Sequence, residues 1–133
     1  MIAIDTNVLL RVFVEDDMGQ AHAASALVQA PERNGDPVLI TPIVLLELVW
    51  TLRRAYDHTK ADILSVLDQV CANAVIIVDD RNAVESAINM WRRGKVDFAD
   101  YLIGALARER GARTTMTFDR KAAETAAFTL VAV

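Results

Sequence analysis

Asp5, Glu47, Asp100 and Asp119 each interrupt or close an apolar run. Asp5 follows Met1-Ile2-Ala3-Ile4, and Glu47 separates Ile43-Val44-Leu45-Leu46 from Leu48-Val49-Trp50. Asp100 precedes Tyr101-Leu102-Ile103-Gly104-Ala105, and Asp119 closes Thr114-Thr115-Met116-Thr117-Phe118. A lone carboxylate in a packed interior is costly unless something pairs with it. Four acids at the edges of core elements point to a shared partner. A hard divalent cation suits them, because Mg²⁺ and Mn²⁺ prefer oxygen ligands. Metal-dependent chemistry on phosphates is the corresponding activity.

The surrounding sequence must supply elements that bring these acids together. Residues 2–5 read as a buried strand, residues 7–14 and 21–30 as helices, and residues 38–40 as a second strand. Pro31 and the turn Asn34-Gly35-Asp36-Pro37 end the second helix. Thr41-Pro42 marks the next helix start, with the hydroxyl as cap and proline at the first helical position. That helix is expected to run to about residue 56, followed by one over 60–72 and a strand over 75–78. Residues 81–93 form a helix stopped by Gly94, and Asp97 opens a helix reaching Arg110 and ended by Gly111. Residues 114–117 and 129–133 are the last strands.

The alternation of strand and helix indicates an α/β protein with a parallel sheet flanked by helices. With no repeat, low-complexity tract or linker, residues 1–133 read as a single domain. Ligands of such sheets gather outside the carboxyl ends of the strands. Asp5 and Asp119 fall at such ends, Glu47 in the second turn of a helix and Asp100 in a first turn. All four are expected to converge on one edge.

Each acid also has a purely structural use. Asp5 opens Asp5-Thr6-Asn7, three residues that all cap helices. Glu47 has Ile43, Val44, Trp50 and Thr51 as helical neighbours, so no cation one turn away pairs with it; the bland alternative is a solvent-facing gap in the apolar stripe. Asp97 and Asp100 resemble a capping pair, Asp97 as cap and Asp100 reaching back, and for Asp97 the cap is favoured over the ligand. Gly104 and Ala105 imply a helix packed closely on the sheet, which turns Asp100 towards its edge, where Asp97 assists as an outer ligand. Asp119 doubles as a turn residue.

The cation groups Arg53-Arg54, Arg92-Arg93-Lys95 and Arg108-Arg110-Arg113 read first as solvated helix faces and ends, with some of them, like Arg11 and Arg120 near the acids, available as phosphate contacts. Asp16-Asp17 and Asp79-Asp80 read as caps. Trp50, Trp91 and Met90 read as core or interface.

Composition narrows the alternatives. A lone cysteine, Cys71, precludes an internal disulfide and reads as a small buried hydrophobe in a reducing cytoplasm. His22 and His58 stand apart and offer little for zinc. The apolar share of 53% is high for a soluble domain, yet no uncharged stretch reaches a membrane span, and the start lacks a basic leader. The excess implies a protein partner or self-interface. The formal charge of −4 becomes zero once the four acids are set aside, so net charge does not decide for or against a nucleic-acid enzyme.

Asp5-Thr6-Asn7 after a strand, Glu47 within a helix, Asp97-Phe98-Ala99-Asp100-Tyr101-Leu102-Ile103 and Thr117-Phe118-Asp119 together resemble the PIN-domain ribonucleases, across the whole chain. The size resembles the toxin half of a VapBC-type toxin–antitoxin pair. The resemblance implies a three-layer α/β/α sandwich with a central, mainly parallel sheet. It implies Mg²⁺- or Mn²⁺-dependent hydrolysis of RNA phosphodiesters, in single-stranded or looped RNA such as tRNA. Asp5, Glu47, Asp100 and Asp119 would be catalytic metal ligands, Asp97 an accessory acid, and Thr6 and Thr117 supporting hydroxyls. A cytoplasmic homodimer held inactive by an antitoxin is also implied. Leu9, Leu10, Phe13, Trp50 and Leu52 are candidates for an antitoxin-binding groove, with core packing the rival role for each. Tyr101 departs from the alanine that relatives often carry.

Two other classes compete. A dehalogenase-like phosphatase needs a second aspartate two residues after the first, where this chain has Asn7. A phosphoaspartate receiver built on residues 75–80 would leave Glu47 and Asp119 idle. A PIN-like binding module without catalysis is the non-enzyme alternative, and the presence of all four acids speaks against it.

Overall fold

The computed structural model describes residues 1–29 and 36–133. The expected helix end at Ala30 and Pro31, and the Asn34-Gly35 step of the turn, lie outside the described residues. Two compact units make up the chain, Met1–Asp79 and Asp80–Val133.

In the first unit, strands β1 (Ile2–Ala3), β2 (Val38–Ile40) and β3 (Ile76–Val78) pair in parallel in the order β1-β2-β3. Ile2 lies opposite Val38, and Leu39 opposite Ile77. Parallel neighbours need long crossovers. These contain α1 (Thr6–Phe13) and α2 (Met18–Leu27) before β2, then α3 (Pro42–Ala55) and α4 (Lys60–Ala72) before β3. The central strand buries Val38 and Ile40 completely. Helix α3 turns Leu45, Leu48, Val49 and Leu52 inward at the i, i+3, i+4, i+7 spacing of a one-sided helix.

The starts of these helices differ in how they are fixed. Thr41 has the extended backbone that a following proline imposes, and Pro42 occupies the first position of α3. The Thr41 hydroxyl makes no capping bond, contrary to expectation. Thr59 and Asp62 instead form a full capping box on α4: the Thr59 hydroxyl accepts from the Asp62 amide at 3.1 Å, and the Asp62 carboxylate accepts from the Thr59 amide at 3.2 Å. Asp17 caps α2 as expected, accepting from the Gln20 amide at 3.0 Å. Asp16 is not a cap. It pairs with Arg11 and accepts the Tyr56 hydroxyl at 2.6 Å, tying α1 to the end of α3.

The second unit holds α5 (Arg81–Arg93), α6 (Phe98–Glu109), β4 (Thr115–Thr117), a short 3₁₀ turn (Ala122–Glu124) and β5 (Phe128–Leu130). Strands β4 and β5 pair in parallel. Thus the parallel pairings fall into a three-stranded and a two-stranded set. Helix α5 buries Ala83, Val84, Ala87, Ile88 and Trp91, and the Trp91 ring lies 5.5 Å from that of Phe98 on α6. Asp80 stands at the N-cap of α5 in a left-handed conformation without a side-chain cap bond, and its carboxylate lies 3.9 Å from Arg110. Helix α6 closes with both bonds of a Schellman motif, Ala112 to Ala107 at 3.0 Å and Gly111 to Arg108 at 2.9 Å, around the positive φ of Gly111.

The strands are shorter than the sequence indicates. β1 stops at Ala3 because Asp5 already opens α1, although the Ile4 amide still bonds Leu39 at 3.3 Å. β5 ends at Leu130 rather than Val133. Among the described residues no helix is long and apolar enough to cross a membrane.

Gly104 sets how closely α6 approaches β5. A Cβ there would lie 2.8 Å from the Ala127 Cβ and 3.0 Å from the Phe128 ring, so the helix backbone rests on the strand as expected. Gly104→Val should therefore cost about 1–3 kcal/mol through overpacking, read as a lower urea midpoint. An unchanged midpoint would show that α6 withdraws from β5 without penalty.

Candidate active site

Asp5 occupies the N-cap of α1, two residues beyond β1. Its Oδ1 accepts from the Val8 amide at 3.0 Å, so the capping role is real. This bond orients the carboxylate and leaves ligation to Oδ2. The next residue, Thr6, donates its hydroxyl to Glu47 Oε1 at 2.6 Å. The first unit thus brings Asp5-Thr6 and Glu47 together across 41 residues of chain separating Thr6 from Glu47.

Glu47 is exposed, as are Asp5 and Asp119, and no charged residue among those described is fully buried. Desolvation therefore does not force a partner on Glu47, contrary to what its apolar neighbours imply. It falls on the solvent face of α3, with Ile43, Trp50 and Arg54 at helical spacing around it.

In the second unit Asp97 holds the N-cap position of α6 without a side-chain capping bond. Its carbonyl accepts from the Asp100 amide at 3.0 Å. Asp100, in the first turn, is half-buried. Burial pushes its carboxyl above the ordinary aspartate value, and the charges of Asp119 and then Asp97 push it further in the same direction.

Asp119 lies two residues beyond β4, as Asp5 lies two beyond β1. Its Oδ1 accepts from the amides of Lys121 at 2.8 Å and Ala122 at 3.2 Å, and its own amide donates to Thr117 Oγ1 at 2.9 Å. Both strand-end acids thus follow one local design. Main-chain amides fix one oxygen, and the second remains for a ligand.

These donors are hard oxygens, and Asp100 faces like charges that a cation would neutralise. The residues therefore fit Mg²⁺ or Mn²⁺. Among the described residues no three acidic, histidine or cysteine side chains stand close enough to form a closed ion cage. Mg²⁺ does not demand one, since it keeps several waters and binds through one or two carboxylates plus substrate phosphate.

Other candidates have different surroundings. Arg11 is held by Asp16, by Gln20 at 2.9 Å and by Tyr56 at 3.4 Å, which commits it to structure rather than to phosphate. Leu9, Leu10 and Leu52 are buried in the core and offer little surface to a partner. Phe13 is half-buried beside a cavity of about 350 Å³ shared with Leu9, Val12 and Val70. Trp50 is exposed, so the five expected groove residues do not form one surface. Cys71 is half-buried and unbridged. Tyr101 is buried with its hydroxyl over Gly94, so its bulk serves the packing of α5 on α6.

Arg54 is exposed, as expected of a solvated helix face, and its guanidinium carbon lies 5.6 Å from the Trp50 ring centroid. Its i+4 relation to Trp50 was the signal in the sequence for that contact.

A family model for the PIN domain matches residues 2–128. A VapC ribonuclease of Aquifex aeolicus (strain VF5) is 22% identical over 121 residues, spanning 91% of this chain and 89% of that protein. The mixed α/β architecture with parallel pairing agrees with the PIN-like α/β/α class.

The state of Asp100 yields a measurable consequence. A carboxyl whose folded pKa is raised destabilises the fold as it ionises, so stability falls as pH rises from the unfolded value through the raised one. Metal-free Asp100→Asn should therefore melt above the parent at neutral pH. The gap should close as pH falls below the ordinary aspartate range. Equal melting temperatures in EDTA at neutral pH would show that Asp100 bears no such strain.

Proposed function

Because the chain belongs to the PIN domain family, we propose that it is an endoribonuclease using Mg²⁺ or Mn²⁺, and the toxin of a type II toxin–antitoxin pair. Asp5, Glu47, Asp100 and Asp119 are the catalytic ligands in this reading. Asp97 serves as an outer acid. The single domain, 1–133, acts in the cytoplasm as a homodimer and is restrained by an antitoxin protein. Its substrate is single-stranded or looped RNA, with tRNA the first to try.

The observation that carries the reading is Asp100, half-buried against the charges of Asp119 and Asp97. That arrangement costs stability in an empty protein and is offset when a cation is held. When bound, the ion supplies Lewis-acid chemistry, acidifying water for attack at phosphorus and offsetting charge on the leaving oxygen.

The chain's own contribution is placement. The Val8 amide fixes Asp5, Thr6 fixes Glu47, and the Lys121 and Ala122 amides fix Asp119. Thr117 holds the Asp119 main chain and so supports the turn. Preset carboxylates need no reorganisation as charge develops during the reaction.

The test is cleavage of end-labelled tRNA and mixed-sequence RNA by antitoxin-free protein, with Mg²⁺, with Mn²⁺ and with EDTA. Products should require the ion. Asp5→Asn and Asp100→Asn should each lower the rate by about 100-fold or more, since the lost stabilisation is several kcal/mol, with circular dichroism unchanged. Full activity of either variant, or of the parent in EDTA, would defeat the assignment.

A further inference from the structure

Trp50 is 62% exposed and Ile43 71% exposed on α3, although this chain has a well-formed apolar core. Both lie on the face of α3 opposite Leu45, Leu48 and Leu52, where apolar groups gain nothing from the core. The surroundings of Trp50 are specific. The Arg54 guanidinium carbon lies 5.6 Å from the Trp50 ring centroid, within cation–π range. Glu47 stands three residues before Trp50, which places the two side chains as neighbours about 5–6 Å apart at Cβ. Glu47 in turn is fixed by Thr6, beside Asp5.

We propose that Trp50 is a stacking platform for a nucleobase of the RNA strand, with Arg54 supplying the cation for the adjoining phosphate. The inference rests on the ribonuclease reading for the role of Glu47, although stacking itself requires no cleavage. An aromatic face beside a cation is the arrangement that holds single-stranded nucleic acid. The Arg54 cation over the ring favours an occupant that brings a phosphate beside a flat base over an apolar protein surface. Glu47 separates Ile43 from Trp50, and Arg54 covers part of the indole, so the apolar groups do not join into one patch. A base next to the scissile phosphate would then be anchored one helical turn from a metal ligand. Stacking reads the π face that every base shares, so Trp50 contributes affinity and position and only modest sequence preference.

The two tryptophans make the test direct. Trp91 is 2% exposed, so a quencher in solution reaches Trp50 alone. Single-stranded RNA of mixed sequence, titrated in EDTA at low salt so that it stays intact, should quench the exposed fraction of tryptophan emission. By anisotropy of labelled RNA, Trp50→Leu should bind about 10-fold or more weakly, while Trp50→Phe should stay close to the parent. In Mg²⁺ the Leu variant should show its defect mainly in KM.

RNA binding without quenching, equal affinity of the Leu variant, or no RNA binding at all would overturn the proposal. So would an emission change that tracks protein concentration without RNA, which would make this face a contact between copies. The two readings fail separately. Cleavage without quenching removes the platform and leaves the ribonuclease, whereas quenching with the Leu and Phe pattern but no cleavage does the reverse. Both side chains sit in solvent, and matching thermal melts would confirm that the variants fold.

Discussion

Partial burial of the Asp100 carboxyl beside the charges of Asp119 and Asp97 is the constraint that the second unit has to accommodate. Asp100 lies half-buried within reach of the charges on Asp119 and Asp97, and its ionisation is disfavoured by burial and by both neighbours. A chain selected only for stability would separate or replace such groups, because like charges in a poorly solvated setting cost free energy with no return. The turn after β4 instead clamps Asp119 in place through two main-chain amides. Helix α6 starts where Asp100 must face it. The geometry is unfavourable for an empty protein and favourable for one that holds a cation.

The rest of the fold offsets that cost. Leu45, Leu48 and Leu52 on α3, Ile63 and Leu67 on α4, and Val38 and Ile40 on β2 are wholly removed from water. Each such side chain contributes about 1.5–3 kcal/mol before conformational entropy is counted. Local bonds add precision where the acids need it. The Asp5 cap is worth about 0.5–2 kcal/mol to α1 and also aims the carboxylate. One bond therefore serves folding and positioning together. That is why the choice between cap and ligand, which looks exclusive on paper, is not exclusive in the molecule.

Most elements were legible from residues 1–133 alone. The helix over Arg81–Arg93 matched its sequence pattern residue for residue, because Gly94 and the i, i+3, i+4 recurrence of apolar side chains are local signals. Strand ends were less legible. Residues 2–4 carry one continuous apolar run ahead of Asp5, but the Asp5 cap draws the chain into α1 and the strand closes at Ala3. Asp16 illustrates a different failure. Beside Asp17 it looks like a second cap, and its actual partners, Arg11 and Tyr56, are joined only by the packing of α1 near the end of α3.

By itself the sequence determined the strand-end and first-turn positions of Asp5, Asp119 and Asp100, and the α/β order of the elements. Caps, turns and apolar periodicity act over a few residues and need no distant partner. Only the tertiary structure decided that Glu47 and Trp50 face solvent while Leu9, Leu10 and Leu52 do not, that Thr6 reaches Glu47, and that Asp100 resists ionisation. The physical reason is that exposure and electrostatic coupling depend on which helix face meets the sheet. An apolar stripe as broad as that of α3, running on both sides of Glu47, leaves that choice open until the partner surfaces are in place.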